Sequence, residues 1–191
     1  MEHRHATRRD RAHAYASFAF RLLNPPNDRE LKQAFFDRLV IASSPVFVPL
    51  SEQSMRDARY RDGHWKFGAV DGSITRHVMR CYEHAGFDHR QLRGAEPLVR
   101  SLRPDALAAE CAFMAFLLAG DDAAVEEATE ETGRGAYADA FLDAHLGLWA
   151  CDAASACEAS CSDDYLALIV RACADYVSAD RLMRKQVLCD L

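Results

Sequence analysis

Residues 103–114 have the sequence RPDALAAECAFM and carry the strongest structural signal in the chain. Pro104 and Asp105 are typical of a first helical turn, where proline needs no N–H partner and an acid favours the helix dipole. The apolar residues that follow recur at helical spacing. Glu110 lies on the same face, and a carboxylate there must be hydrogen-bonded, paired or protonated. We therefore predict a helix over 104–119 with a buried Glu110.

The same helical spacing runs through most of the chain. The stretches predicted as helices are 7–23, 28–42, 52–60, 71–85, 104–119, 121–132, 136–149, 162–177 and 178–188. No stretch alternates apolar and polar residues over the length of a strand, and Gly86 and Gly120 are suitable helix ends. The prediction is an all-α, compact bundle of about nine helices. It forms a single domain over residues 1–191, with a connector or hinge near 89–103.

Composition narrows the class of protein further. With 191 residues, half of them hydrophobic, the chain can bury a substantial core. Its net charge of −6 disfavours nucleic-acid binding, and no apolar run is long enough for stable membrane insertion. Seven scattered cysteines do not form a disulfide framework, and a reducing, cytoplasmic location suits them best.

Four segments carry a resemblance to the TorD/DmsD family of molybdoenzyme-specific chaperones. Residues 103–114 resemble its proline–aspartate–histidine–leucine motif with the following glutamate and phenylalanine–methionine pair. Residues 82–87 (YEHAGF) resemble its upstream tyrosine–glycine segment, and residues 141–149 (FLDAHLGLW) its downstream segment. Residues 11–26 are similar to its first helix and proline turn. Ala106 stands where the family motif has histidine.

The resemblance implies a TorD-like fold and a cytoplasmic chaperone without catalysis. Such a protein binds a molybdopterin oxidoreductase precursor, often at its twin-arginine signal peptide, and assists cofactor insertion before export. The resemblance implies no cofactor held by the chain itself, and either a monomer or a domain-swapped dimer.

A signal peptide needs an apolar groove for its hydrophobic segment and carboxylates for its arginines. The candidate peptide-binding residues are Trp65, Tyr82, Phe87, Pro104, Asp105, Glu110 and His145. Structural alternatives exist for each kind of residue. Asp105 can be a capping charge, Glu110 a paired buried acid, His145 a core histidine and Trp65 a plug for the core. If Asp105 only caps a helix, its replacement costs about 0.3–1 kcal/mol, so we expect Asp105→Ala to weaken binding more than stability.

Two other functions stay open. One is a helical enzyme that uses His145 with a carboxylate, and the other is a metal or redox sensor built on Cys151, Cys157 and Cys161. Only Cys157 and Cys161 have zinc-ligand spacing, so we predict no metal site. No phosphate-binding loop, HExxH or G-x-S-x-G occurs, so we predict no catalytic residues. The acidic residues within 121–131 are expected to form a solvated helix face, although such a face could attract a basic peptide.

Overall fold

Helices make up most of the computed structural model, which describes residues 6–120, 128–160 and 164–189. It is 68% helical with a small two-stranded sheet, and this confirms the all-α prediction. In chain order the elements are α1 (Arg8–Leu23), α2 (Arg29–Leu39), α3 (Glu52–Arg56), β1 (Arg59–Arg61), β2 (His64–Lys66), α4 (Ser73–Ala85), α5 (Glu96–Arg100), α6 (Leu107–Leu118), α7 (Ala128–Ala144), α8 (Ala150–Ser160) and α9 (Tyr165–Cys189). Short 3₁₀ turns lie at His89–Gln91 and Leu146–Leu148.

Side-chain caps fix several helix ends where the sequence predicts them. Thr7 and Asp10 form a capping box at the start of α1, and Asp28 caps α2 through the N–H groups of Glu30 and Leu31. Gly86 ends α4 in the left-handed region at φ 73°, which glycine adopts without strain. These ends follow from local chemistry, and the predicted helix starts at residues 7 and 28 and the predicted end at Gly86 are confirmed.

The helix predicted over 52–60 is wrong in its second half. α3 ends at Arg56, and the chain then forms an antiparallel hairpin in which Tyr60 pairs with Trp65. Asp62 and Gly63 make the turn with φ angles of 53° and 79°, as a tight two-residue hairpin loop requires. Strands of three residues are too short to produce a recognisable alternation in the sequence.

The motif helix begins later than predicted. Pro104 and Asp105 lie before α6, whose N-cap is Ala106. The Leu107 N–H donates to the Leu50 carbonyl at 3.0 Å, so the chain entering α6 bonds to the segment before α3. Because of this tertiary contact, Pro104 and Asp105 are not part of the first turn of α6. The Asp105 side chain bonds to α3 instead.

The C-terminal third contains three further differences. The predicted helices over 162–177 and 178–188 are one continuous helix, α9. Helix α8, rich in alanine, was not predicted at all. The helix predicted over 136–149 is divided, because α7 ends at Ala144 and a 3₁₀ turn follows His145. Most of the helix predicted over 121–132 lies outside the described residues.

Helix α6 forms the centre of the core. Ten of its twelve residues are buried, including Glu110 and Phe113. It packs along α1 and contacts α7, while α8 packs on α9. A helix that is apolar all round is one that is enclosed by others. Every polar group on α6 must therefore find its partner inside the protein.

The predicted connector over 89–103 contains a 3₁₀ turn and the short helix α5. It lies against the end of α1, because the Ala95 N–H donates to the Leu23 carbonyl at 2.8 Å. A Cβ atom at Gly94 would lie 2.5 Å from that same oxygen, so only glycine permits this approach. Hinge motion here and the single-domain assignment stay predictions.

Candidate functional site

Asp105 lies at the N-terminus of α3, although it follows Gln53 of that helix by 52 positions in the chain. Its Oδ2 accepts hydrogen bonds from the Gln53 N–H at 3.1 Å and from Thr75 Oγ1 at 3.0 Å. Its backbone oxygen accepts from the Glu52 N–H at 2.8 Å. Ser51, the N-cap of α3, makes no side-chain capping bond within the described residues. Asp105 therefore caps α3 in its place and fixes the position of Glu52.

Glu52 is a fully buried carboxylate at the first position of α3. Its Oε2 lies 2.7 Å from His145 Nδ1, and its Oε1 accepts from Arg56 Nη1 at 3.0 Å. Sequence reasoning missed this residue, because an acid in a first helical turn is normally an exposed dipole partner. Its role depends on a contact with a residue far away in the chain, and no local pattern indicates that contact.

His145 is held between two rings directly after α7. The ring centroids of Phe141 and His77 lie 4.7 Å and 4.9 Å from its own. Its Nε2 is 2.9 Å from His77 Nδ1. Burial alone lowers the pKa of His145, but Cys81 and Glu52 outweigh burial and raise the pKa to about 9. As a cation, His145 can donate to Glu52 with one nitrogen and to His77 with the other.

Cys81 completes this group from α4, one helical turn after His77. Burial raises the pKa of the Cys81 thiol, but hydrogen bonds with His145 and Tyr137 reverse that effect and bring the pKa below its ordinary value. The donor atoms of His77, Cys81 and His145 all lie within 4.8 Å of one another. Among the described residues, these three are the set that could hold a metal ion, and we call them the His–Cys cluster.

Glu110 is fully buried, which confirms the prediction from its position on an apolar helix face. The Trp149 Nε1–H donates to its Oε2 at 3.1 Å, whereas Oε1 has no donor among the described residues. Burial, and then the nearby charge of Glu52, raises the pKa of Glu110 well above its ordinary value. A raised pKa favours the protonated form of Glu110, and a protonated Oε1 can donate to the Glu52 carboxylate.

An apolar groove opens on the other side of the segment that enters α6. It has a volume of about 270 Å³. Its walls come from α1, α2, the segment before α3, α5 and the start of α6. The lining residues are Leu22, Leu23, Leu39, Ala42, Phe47, Pro49, Leu50, Ser51, Val70, Leu98, Ser101, Leu102, Arg103, Ala106, Leu107 and Ala108. The small side chain of Ala106, where the resembled motif has histidine, therefore faces this groove.

The structure brings together four of the candidate peptide-binding residues near the motif. The Tyr82 hydroxyl donates to the Pro104 carbonyl at 2.7 Å, next to the buried Asp105. The rings of Tyr82 and Phe87 are 4.9 Å apart. Trp65 lies apart from them on β2, between Tyr60 and Phe67. Their peptide-binding role stays a prediction.

Cys151 and Cys157, the described members of the cysteine group that the sequence left open as a metal or redox site, do not come together. Cys151 is exposed and contacts Ser178, whereas Cys157 is buried on another face of α8. Burial raises the pKa of Cys157 to about 12. Cys161 and the acidic positions 121, 122, 126 and 127 lie outside the described residues, and the side chains of Glu130 and Glu131 are not described either.

Comparison with known protein families identifies the class. A family model described as nitrate reductase delta subunit matches residues 7–155 of this 191-residue chain. The chain belongs to the nitrate reductase delta subunit family. This is a family of redox-enzyme maturation chaperones that act with nitrate reductase-type molybdoenzymes. No curated protein and no solved structure matches the chain.

Membership of the delta subunit family confirms the predicted class of chaperone, and the family consists of chaperones and not of catalytic enzymes. The match covers all the segments that carried the resemblance, from the first helix to residue 149. Within the described ranges, no helix is long and apolar enough to cross a membrane. The sequence analysis also missed His77 and Cys81, and their spacing of four residues was the available signal.

Proposed function

We propose that this protein is a cytoplasmic chaperone of the TorD/DmsD type, which binds the precursor of a molybdopterin oxidoreductase. It holds the precursor, often by its twin-arginine signal peptide, until the molybdenum cofactor has been inserted and export can begin. The observation that carries this proposal is the family match over residues 7–155. The work is recognition and timing, so the protein itself needs no catalytic residue.

The apolar groove supports recognition of the hydrophobic part of a signal peptide. Phe47, Leu50 and Leu102 line it and are only half-buried, so their side chains still offer apolar surface to a ligand. A helical or extended apolar segment that covers this surface gains the free energy of burial, about 25 cal/mol per Å². A volume of about 270 Å³ accommodates a few side chains of a peptide and not a whole helix.

Charges at the edge of the groove suit a basic peptide. Arg103 lines the groove and pairs with Asp71 at 2.7 Å, and the Asp71 side chain is 85% exposed. A peptide arginine can compete with Arg103 for this carboxylate and form a charge-assisted hydrogen bond. The net charge of −6 favours the approach of such a peptide.

In this proposal the buried candidate residues support the groove and do not touch the peptide. They are Tyr82, Asp105, Glu110 and His145. Asp105 and Tyr82 hold the segment around Pro104, which places Ala106 at the groove wall. Glu110 and His145 are linked through Glu52 and stabilise the start of α3. Direct contact with the peptide then falls mainly to the groove and, on the hairpin, to Trp65.

Calorimetric titration tests the proposal with two ligands: synthetic twin-arginine signal peptides from molybdoenzymes of the same genome, and the full-length precursors. We expect binding that weakens as salt rises, because exposed ion pairs are screened, with an apolar remainder that persists. Asp71→Asn should weaken binding and flatten the salt dependence. Asp88→Asn, which changes a half-buried aspartate paired with Arg90 on another part of the surface, is the matched control.

The pattern of binding to the two ligands shows which part of the precursor the protein contacts. Binding of both ligands supports signal-peptide recognition, and binding of the precursor alone moves the contact to the mature enzyme. If neither ligand binds to the wild-type protein, the chaperone proposal is wrong for these clients. If Asp71→Asn leaves the salt dependence unchanged, the arginine contacts lie elsewhere.

A further inference from the structure

The His–Cys cluster contains two imidazoles and one thiol whose donor atoms already converge. His77 and Cys81 are four residues apart on α4, so they lie on one face of the same helix. His145 Nε2 faces them from the end of α7, 2.9 Å from His77 Nδ1. All three donor atoms lie within 4.8 Å of one another. Neither the family match nor the proposed peptide groove explains this convergence.

The distances are close to those that a metal ion requires. Zn–N bonds of about 2.0–2.1 Å and a Zn–S bond of about 2.3 Å place tetrahedral ligand atoms roughly 3.3–3.7 Å apart. The two imidazole nitrogens therefore need to separate by only about 0.5 Å, and the exposed His77 ring is free to make this movement. Cys81 Sγ lies within 4.8 Å of both nitrogens, so it has to approach by about 1.3 Å at most, a distance that rotation of its side chain can cover.

His145 is oriented as a metal-binding histidine is. Its Nδ1 lies 2.7 Å from the Glu52 carboxylate, which leaves Nε2 to face the other two donors. Histidine ligands usually donate their second N–H to a carboxylate or a carbonyl, which fixes the tautomer and the direction of the ring. Stacking against Phe141 at 4.7 Å holds the ring from its other face.

We propose that His77, Cys81 and His145 bind a transition-metal ion, with Zn²⁺ as the best-suited species and Glu52 as the orienting carboxylate. Two imidazoles and a thiolate favour zinc and similar borderline or soft ions over Mg²⁺ and Ca²⁺, which prefer oxygen ligands. Three protein ligands leave the fourth tetrahedral position for water or for an external ligand.

Burial changes across the cluster from the core to the surface. His145 is buried, Cys81 is half-buried and His77 is exposed. An ion can therefore enter from the side of His77, and its fourth position faces the same side. The site is separate from the groove, because none of the three ligands belongs to the groove lining. Metal binding and peptide binding can therefore succeed or fail independently.

The test uses the full-length protein, stripped with a chelator and then loaded with Zn²⁺ or Co²⁺. We expect one ion per chain by elemental analysis. The cobalt form should show a thiolate-to-cobalt charge-transfer band in the near ultraviolet. Cys81→Ser should abolish this band, and Cys81→Ser and His77→Asn should each weaken Zn²⁺ binding by more than about 100-fold. Both positions are at least partly exposed, so the variants should fold, which circular dichroism verifies.

Matched controls come from the same protein. Cys151→Ser changes another accessible cysteine, and His84→Asn changes another exposed histidine on α4. Neither should alter affinity or the cobalt spectrum. Glu52→Gln should weaken binding about 10–100-fold without removing the charge-transfer band. The proposal is overturned if the wild-type protein does not bind zinc, or if the Cys81 and His77 variants bind it as tightly as the two controls do.

Discussion

Two buried carboxylate regions of this molecule solve the same problem in opposite ways. Asp180 on α9 is 1% exposed and has a cation and a hydroxyl beside it: Arg11 at 2.8 Å and the Tyr15 hydroxyl at 2.8 Å. Glu110 on α6 has another buried carboxylate, Glu52, as its neighbour. The Asp180 carboxylate is balanced by a cation, whereas Glu110 has a second acid beside it and its pKa is raised.

The two regions also differ in the residues to which their contacts extend. The Asp180 region ties α1 to α9, and the charge of its carboxylate is balanced where it lies. In the second region, the Glu52 carboxylate contacts Arg56 and His145 and raises the pKa of the neighbouring Glu110. The chain of contacts continues from His145 to the exposed His77. The second region thus runs from the core to the place where the donor atoms of His77, Cys81 and His145 converge.

The largest loss of unfolding free energy should follow from removal of the Asp180 carboxylate. Asp180→Ala leaves Arg11 and the Tyr15 hydroxyl without their buried acceptor, and such losses cost about 3–5 kcal/mol. Arg11 keeps a second partner in Asp139 at 3.2 Å, which places the loss toward the lower end. Urea unfolding followed by circular dichroism measures it. A loss below about 1 kcal/mol would mean that the contacts of Asp180 with Arg11 and Tyr15 are exposed to solvent in solution.

Asp105→Ala should have the next largest effect, and here the structure changes the expectation from sequence. The residue does not sit in a first helical turn of α6. It is a buried acceptor for Gln53 and Thr75. Unpaired buried donors and a lost cap together cost about 2–3 kcal/mol. Asp105→Asn keeps an acceptor oxygen and should cost less. If both variants unfold like the wild type, Asp105 is not the cap of α3.

Glu110→Ala should cost about 1–3 kcal/mol, because the Trp149 N–H loses its acceptor inside the core. Glu110→Gln keeps the shape and the acceptor and, like the protonated side chain, carries no charge. We therefore expect it to cost clearly less than the alanine variant in the same denaturant titration. Equal losses for the two variants would show that the acceptor oxygen is not what Glu110 contributes.

The smallest expected effect concerns pH: the difference in unfolding free energy between the wild type and Glu110→Gln should change as pH rises. The folded state raises the pKa of Glu110, so it holds the proton more tightly than the unfolded chain does. The contribution of this proton to stability is complete below the unfolded pKa of about 4.3 and declines as pH rises toward the folded pKa. Relative to Glu110→Gln, the wild type should therefore lose stability with rising pH, by at most about 1.4 kcal/mol per unit.

An exposed acid provides the control for this measurement. Glu83→Gln on α4 changes the same chemical group on the surface. The unfolding free energy of this variant should differ from the wild type by an amount that stays constant above pH 5. If the difference in unfolding free energy between the wild type and Glu110→Gln is also constant with pH, Glu110 is ionised in the folded protein, and Arg56 and His145 balance its charge together with that of Glu52.

These two regions also show how far the sequence can be read. Helical spacing and the caps at Thr7, Asp28 and Gly86 are local, so the all-α fold and the burial of Glu110 could be predicted. Glu52 gains its role from contact with His145, 93 positions away, and no local pattern contains that information.

The start of α6 was missed for the same reason. Asp105 has the composition of a first-turn acid but caps another helix, and Asp62–Gly63 forms a turn between strands too short to be recognised. Of the His–Cys cluster, only the spacing of His77 and Cys81 on one helix is visible in the sequence. His145, the third member, lies 68 positions after His77 in the chain.

The central claim is that the protein binds a molybdoenzyme precursor at the groove beside α6, independently of the Asp180 region. The most direct measurement determines precursor affinity and unfolding free energy together for three proteins: the wild type, Ala106→Phe and Asp180→Asn. We predict that Ala106→Phe, which fills the groove, weakens binding by about 10-fold or more with little loss of stability. Asp180→Asn should lose stability and, where it is still folded, bind as the wild type does. The claim is contradicted if the wild type binds no precursor, or if Ala106→Phe binds like the wild type while Asp180→Asn loses affinity.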